Sequence, residues 1–145
     1  MPQPDYSRWQ EQEVHYLIAE QLAYDPEEQQ RLADINLALL NHEQREAFDR
    51  ICSAIGQGTP GVFFLTGPAG TGKTFVYNTL CYALRATRKI VLCVASSGIA
   101  AILLIGGRTS HSTFKIPINI AEGQMCNVRS NTVRGDLFRR ADLII

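Results

Sequence analysis

Gly67-Pro-Ala-Gly-Thr-Gly-Lys-Thr74 has the form G-x-x-x-x-G-K-[ST], with Gly67, Gly72, Lys73 and Thr74 at the fixed positions. The apolar run 61–66, Gly-Val-Phe-Phe-Leu-Thr, leads into it, and Thr74-Phe-Val-Tyr-Asn-Thr-Leu-Cys-Tyr-Ala-Leu84 leads out. The first run reads as a strand and the second as a helix over 73–86. Strand, glycine loop and helix is the context in which this spacing makes an anion nest, because successive backbone N–H groups converge at a helix N-terminus. The residues of the cradle are Gly67, Pro68, Ala69, Gly70, Thr71, Gly72, Lys73 and Thr74. Lys73 supplies a point charge for β- and γ-phosphates, and the Thr74 hydroxyl is a ligand for Mg²⁺. Chance alone produces such a spacing in roughly one chain of this length in a few hundred. The competing reading is a glycine-rich turn with no ligand.

Outward from the loop, the chain alternates strand and helix signals. Asn41-x-x-Gln44 resembles a capping box and opens a helix over 43–55 whose Ala47, Phe48, Ile51, Cys52 and Ile55 share a face. Ile90-Val-Leu-Cys-Val-Ala95 reads as a second strand, 98–105 as a short apolar helix ended by Gly106-Gly107, and Ala141-Asp-Leu-Ile-Ile145 as a third strand. Residues 108–136 carry mixed signals, with Pro117 and the polar stretch 123–135 reading as loop, and 137–140 as the end of a helix. This order predicts an α/β fold with a parallel sheet and flanking helices. Ahead of it, residues 1–8 read as frayed, 9–23 as an amphipathic helix through Trp9, Val14, Leu17, Ile18 and Leu22, and 27–39 as another helix after Asp25-Pro26. The expected division is a helical segment of unassigned role at 1–40 and a nucleotide domain at 41–145.

The 145 residues are 46% hydrophobic, which suits about one domain with a packed core. Net charge is zero, yet residues 1–72 hold 4 basic and 11 acidic side chains while 73–145 hold 10 and 3. A basic half after a nucleotide site suits a polyanion such as nucleic acid; two solvated faces of opposite sign would read the same. Cys52, Cys81, Cys93 and Cys126 form no C-x-x-C pair, and three lie in apolar runs, so they read as buried thiols rather than disulfides or zinc ligands. No run of about 18 apolar residues predicts a membrane span, and the polar, acidic start does not read as a targeting peptide.

Leu40-Asn41-x-x-Gln44-x-x-Ala47, the glycine loop, Ala95-Ser-Ser-Gly-Ile-Ala-Ala101 and Gly106-Gly-Arg-Thr-Ser-His-Ser-Thr-Phe-Lys115-Ile-Pro117 follow one another in order. Together, over residues 40–145, they resemble the PIF-type DNA helicases of superfamily one, including their relatives in Helitron transposons. The resemblance implies a P-loop NTPase with a RecA-like first domain, ATP and Mg²⁺ as cofactors, and 5′-to-3′ unwinding of DNA in repair, recombination or telomere maintenance, in the nucleus or alternatively the mitochondrion. It implies that Gln44 reads adenine, since a carboxamide donates and accepts at once; the same residue suits a helix cap. It implies that Ser96, Ser97 and Gly98 touch the backbone of single-stranded DNA, and that Arg108, Thr109, His111, Phe114 and Lys115 form a second strand-contacting segment. A Phe114 ring can stack on a base or lie in the core, and Ser97 can simply cap a helix.

The family pattern continues the third apolar run into an Asp-Glu pair and then a second RecA-like domain carrying an arginine finger. Neither lies within these 145 residues. The expectation is therefore nucleotide binding without turnover by this chain alone, with the second domain in a longer product. The alternative reading is an inert or passive single-strand-binding remnant of a transposon helicase.

Overall fold

A computed structural model describes residues 16–117, 119, 123, 125, 126 and 128–145. Helix α1 covers residues 16–22. It is followed by α2 (Pro26–Leu39), α3 (His42–Gly56), α4 (Lys73–Ala86), β1 (Val91–Leu92), β2 (Val94–Ala95), α5 (Gly98–Ala101), β3 (Arg108–Thr109), α6 (Ser110–Phe114), α7 (Val133–Arg140) and β4 (Leu143–Ile144). Trp9, Val14 and the stretch 1–8 lie outside the described residues.

Helices α2 and α3 start where side-chain chemistry tells them to. Asp25 accepts from the Glu27 N–H at 3.0 Å, with Pro26 in the first turn, where its missing N–H costs nothing. Asn41 and Gln44 close the capping box reciprocally, at 2.9 and 3.0 Å. Such caps contribute about 1 kcal/mol each. α4 is the central helix. One side packs Val76 and Leu80 against Phe48 and Ile51 of α3, with Leu37 and Leu40 at the margin. The other packs Cys81 and Leu84 against Val91 and Cys93. α2 lies along α4: Ala33 is fully buried, and Asn36 Nδ2 reaches Thr79 Oγ1 at 3.3 Å. Burying each large aliphatic side chain here contributes about 1.5–3 kcal/mol.

The run 90–95 is one extended segment divided at Cys93. On one edge β1 pairs in parallel with β4, Val91 opposite Leu143 and Leu92 opposite Ile144. Further bonds, Ile145 N–H to Leu92 O at 2.9 Å and Val94 N–H to Ile145 O at 2.7 Å, continue the ladder. On the other edge β2 pairs in parallel with β3, Val94 opposite Arg108 and Ala95 opposite Thr109. Ile90 through Cys93 are all buried, as expected of strands covered on both faces. Asp142 fixes the register: its carboxylate accepts from the Ile90 N–H at 2.9 Å and pairs with Lys89 at 3.0 Å. The predicted α/β class with parallel pairing therefore holds, as two small two-stranded sheets.

Three boundaries differ from the sequence reading. Residues 61–66 are extended but form no strand. Side-chain direction still alternates, since Val62 and Phe64 are 101% and 91% exposed while Leu65 packs into the α3–α4 core. The missing part is the ladder: a cavity of ≈ 480 Å³, lined by Val62, Phe63, Tyr77, Leu143 and Ile145 among others, separates this segment from β4. The apolar helix expected over 98–105 stops at Ala101, and turns carry 102–106. Within the stretch read as mixed or loop, Thr109 caps α6 and Thr132 caps α7. Those starts rest on side-chain hydrogen bonds inside polar sequence, where apolar periodicity is silent.

Candidate nucleotide and nucleic-acid site

The glycine loop ends on α4. Gly70 and Gly72 take positive φ, +82° and +79°, values that side-chain-bearing residues rarely adopt. A Cβ at Gly72 would sit 2.5 Å from Gln44 Nε2 and make that side chain shift, while one at Gly70 would meet open space. Thr71 Oγ1 donates to Pro68 O at 2.9 Å and draws the loop into a ring. Lys73 Nζ lies inside that ring, 2.7 Å from Gly67 O and 2.8 Å from Pro68 O. Between residues 67 and 75 no backbone N–H has an acceptor among the described residues. The loop thus presents a row of free donors and an ammonium group, which is the donor set an oligophosphate requires. Ala69 is exposed in the same loop. Thr74 is exposed in the first turn of α4. A hydroxyl beside phosphates suits Mg²⁺, which keeps several waters and takes few protein ligands.

Gln44 reaches this loop from α3. Its Nε2 donates to Thr71 O at 3.0 Å while its Oε1 accepts from the Asn41 N–H at 3.0 Å. A carboxamide offers two N–H donors and two acceptor lone pairs. One of each is therefore still free beside the loop. The capping role and a contact with a bound base are compatible at this residue.

The two segments expected to meet DNA leave the same end of paired strands. Because Ala95 lies opposite Thr109 in a parallel pair, Ser96 and Ser97 emerge alongside Ser110 and His111. Ser96, Ser97, Gly98, His111 and Lys115 are exposed. Ser97 caps α5 by accepting from the Ala100 N–H at 3.3 Å, and Thr109 does the same for α6 with Ser112 at 3.3 Å. Arg108 is engaged by Glu20 at 2.6 Å. An exposed pair of this kind contributes about 0–1 kcal/mol, so a phosphate can displace Glu20 at small cost. Phe114 is half-buried and packs on Phe138, ring centroids 5.2 Å apart at 48°. That contact is worth about 0.5–1.5 kcal/mol, comparable with the 1–3 kcal/mol of stacking on a base.

Other side chains at these segments gave no sequence signal. Arg134 of α7 donates to Ser112 O at 3.2 Å and Thr113 O at 3.0 Å, closing the C-terminus of α6. Asn78 of α4 holds the 102–106 turn through Leu103 O and the Ile105 N–H, each at 3.2 Å. Arg85 is 2% exposed, bonded to Ile105 O and Val91 O and stacked 4.2 Å from the Tyr24 ring. The hydrogen bonds among these span 6 to 27 residues, the Arg85–Tyr24 stack spans more, and no local pattern announces them. Among the described residues no cluster of His, Cys, Asp and Glu could hold a metal, and no helix is long and apolar enough to cross a membrane.

A glycine loop of free donors ahead of α4, beside small parallel sheets, is compatible with part of a P-loop nucleotide domain. The PIF1-like helicase family model matches residues 39–145, and the chain belongs to that family. Among curated proteins it is 36% identical over 110 residues to the ATP-dependent DNA helicase PIF4 of Trypanosoma brucei brucei, covering 73% of this chain and 13% of that one. It is 38% identical over 84 residues to the ATP-dependent DNA helicase Pif1 of a Psychrobacter species, covering 57% and 13%. A match to PIF3 of Trypanosoma brucei brucei is 35% identical over 82 residues and covers 57% and 9%. The chain thus spans roughly an eighth of the length of the first two relatives.

Proposed function

We propose that this chain is the ATP-binding portion of a 5′-to-3′ DNA helicase, with residues 41–145 forming part of a first RecA-like domain behind the helical segment 1–40. The observation that carries this reading is the loop at 67–74, with unpaired N–H groups, Lys73 at its centre and Gln44 tied to its rim. In the proposed complex, Lys73 gives up the carbonyls of Gly67 and Pro68 for phosphate oxygens. Thr74 joins the Mg²⁺ shell, and Gln44 spends its free donor and acceptor on adenine. The nucleotide supplies the energy of phosphoryl transfer; these residues bind and orient it.

Membership of the family supports DNA as the partner. We assign the single-strand contact to Ser96, Ser97, Gly98, Arg108, Thr109, His111, Phe114 and Lys115. Support comes from the parallel pairing of β2 and β3, which delivers both segments to one end of the strands, where open α/β sheets bind ligands. Hydrolysis and unwinding are functions we assign to a longer protein, as its relatives extend far beyond the matched segment.

The deciding experiment is titration with a fluorescent ATP analogue and Mg²⁺, beside Lys73→Ala, with and without single-stranded DNA. The expected result is saturable binding, weakened at least about tenfold in the variant, the loss of one charge-assisted contact set. Equal binding by both proteins, or none by the wild type, sinks the assignment of the loop. Tightening by DNA that disappears in Lys115→Ala supports the strand-contacting segment, and DNA indifference refutes it.

A further inference from the structure

Behind the phosphate-loop helix lies a pair of thiols that the nucleotide reading does not use. Cys81 on α4 is 0% exposed and Cys93, at the break between β1 and β2, is 3% exposed. Their sulfurs stand 3.2 Å apart. A disulfide bond is about 2.05 Å, so an approach of about 1 Å suffices to join them.

Two features of the surroundings fit reaction rather than inert packing. The first is charge. Arg85, one turn beyond Cys81, is buried, and no salt bridge among the described residues includes it. Its Nε has no partner at all among them. A buried cation without an anion is costly, and the Cys93 thiol is an acidic group on which the Arg85 charge acts. The hydrogen bond from Cys81, reinforced by the Arg85 charge, holds the Cys93 thiol below its ordinary range. The hydrogen bond to Cys93, with burial, pushes the Cys81 thiol up. The second feature is the seat of the pair: Cys93 lies on the Val91 side of the strand run and packs with Cys81 and Leu84 of α4, so the two sulfurs are held toward each other.

We propose that Cys81 and Cys93 are a redox modification site, in which a small hydroperoxide converts the pair to a reversible disulfide. The Cys93 thiolate attacks one peroxide oxygen, an S–O bond forms and the O–O bond breaks. The second oxygen leaves as hydroxide or alkoxide and takes up the proton Cys93 had released. Cys81 then attacks the sulfenic sulfur, the S–S bond forms, the S–O bond breaks, and the oxygen departs with the Cys81 proton as water. Two thiols and one hydroperoxide give one disulfide, one water, and a second water or an alcohol. The cross-link fastens α4 to the strand run. Cys52 is half-buried and its thiol is pushed up to about 11, by burial and then by Asp49. Cys126 is exposed and free. Neither has a thiol within reach.

The test is hydrogen peroxide at neutral pH on the whole chain, then alkylation after unfolding and non-reducing peptide mapping. Two of the four thiols should disappear into one peptide joining Cys81 to Cys93, and a thiol reductant should restore them. In Cys81→Ala a dimedone adduct should appear on Cys93. Recovery of both cysteines as free thiols while Cys126 oxidises overturns the proposal, as does separate over-oxidation without a cross-link. The wild-type map decides the matter even if a variant does not fold.

Discussion

At the scale of single residues, the site depends on atoms that are absent as much as on those present. Gly72 combines a left-handed φ of +79° with a Cβ position 2.5 Å from Gln44 Nε2. Gly72→Ala is therefore expected to cost about 1–2 kcal/mol for the backbone alone, with a further loss as Gln44 is pushed from Thr71. Urea melts would read the first effect and analogue titration the second; unchanged values in both would show that the loop does not hold this shape. Cys52 makes a separate, pH-dependent prediction. Its folded pKa of about 11 exceeds the unfolded value of about 8.5. Its contribution to stability is thus complete below about pH 8.5 and declines as pH rises toward 11. Cys52→Ala should flatten that decline in melts at pH 8.5 to 11, and an unaltered slope would contradict it. Which of these residues a reader of the sequence can find is uneven. Gln44 and Asn41 announce a cap by spacing, and the structure has both bonds. The bond from Gln44 to Thr71 spans 27 residues and has no local signature. Likewise, cysteines 12 apart look like separate apolar residues until a helix and a strand bring them together.

At the scale of elements, α2 and α3 were legible because each carries its own evidence, a side-chain cap and buried positions on one face, and α4 because it follows the glycine loop. The strands were less so, because a strand is defined by its neighbour. Residues 61–66 have the composition and alternation of a strand but no ladder partner among the described residues, whereas the equally apolar 90–95 has one on each edge. Caps inside polar stretches hid α6 and the start of α7. The crossing of α2 over α4 gives a test at this level. Ala33 is fully buried, and the crossing is close enough for Asn36 to touch Thr79. Ala33→Leu adds volume with nowhere to go and should cost about 1–3 kcal/mol, read as a lower urea midpoint. A stabilised variant would mean that α2 is not seated there. The same variant asks whether this helix supports the loop, since α4 carries both.

For the whole molecule, cohesion comes from contacts between distant parts of the chain. Three apolar clusters meet around α4 and the strands, and Leu143 and Ile145 belong to the margins of two of them. Asp142 is the polar counterpart of that closure. Asp142→Ala leaves the Ile90 N–H without its acceptor and should cost about 1–3 kcal/mol. Asp142→Asn keeps an oxygen for that N–H and loses only the Lys89 pair, worth under about 1 kcal/mol. Thermal melts showing equal losses for the two variants would assign the effect to the ion pair instead. The acidic and basic halves read from composition meet in the structure at Glu20 and Arg108.

The pairing of β1 with β4 has a consequence during synthesis. Asp142 is made 52 residues after Ile90, to which it bonds. At about 5–20 residues per second, the interval between them lasts about 3–10 s. For that time the apolar run from Ile90 to Cys93 has left the ribosome with one edge bare, although α4 is already available to cover a face. A nascent chain halted before Asp142 is therefore a natural client for chaperones that bind extended apolar segments, and one released with Ile145 clear of the exit tunnel is not.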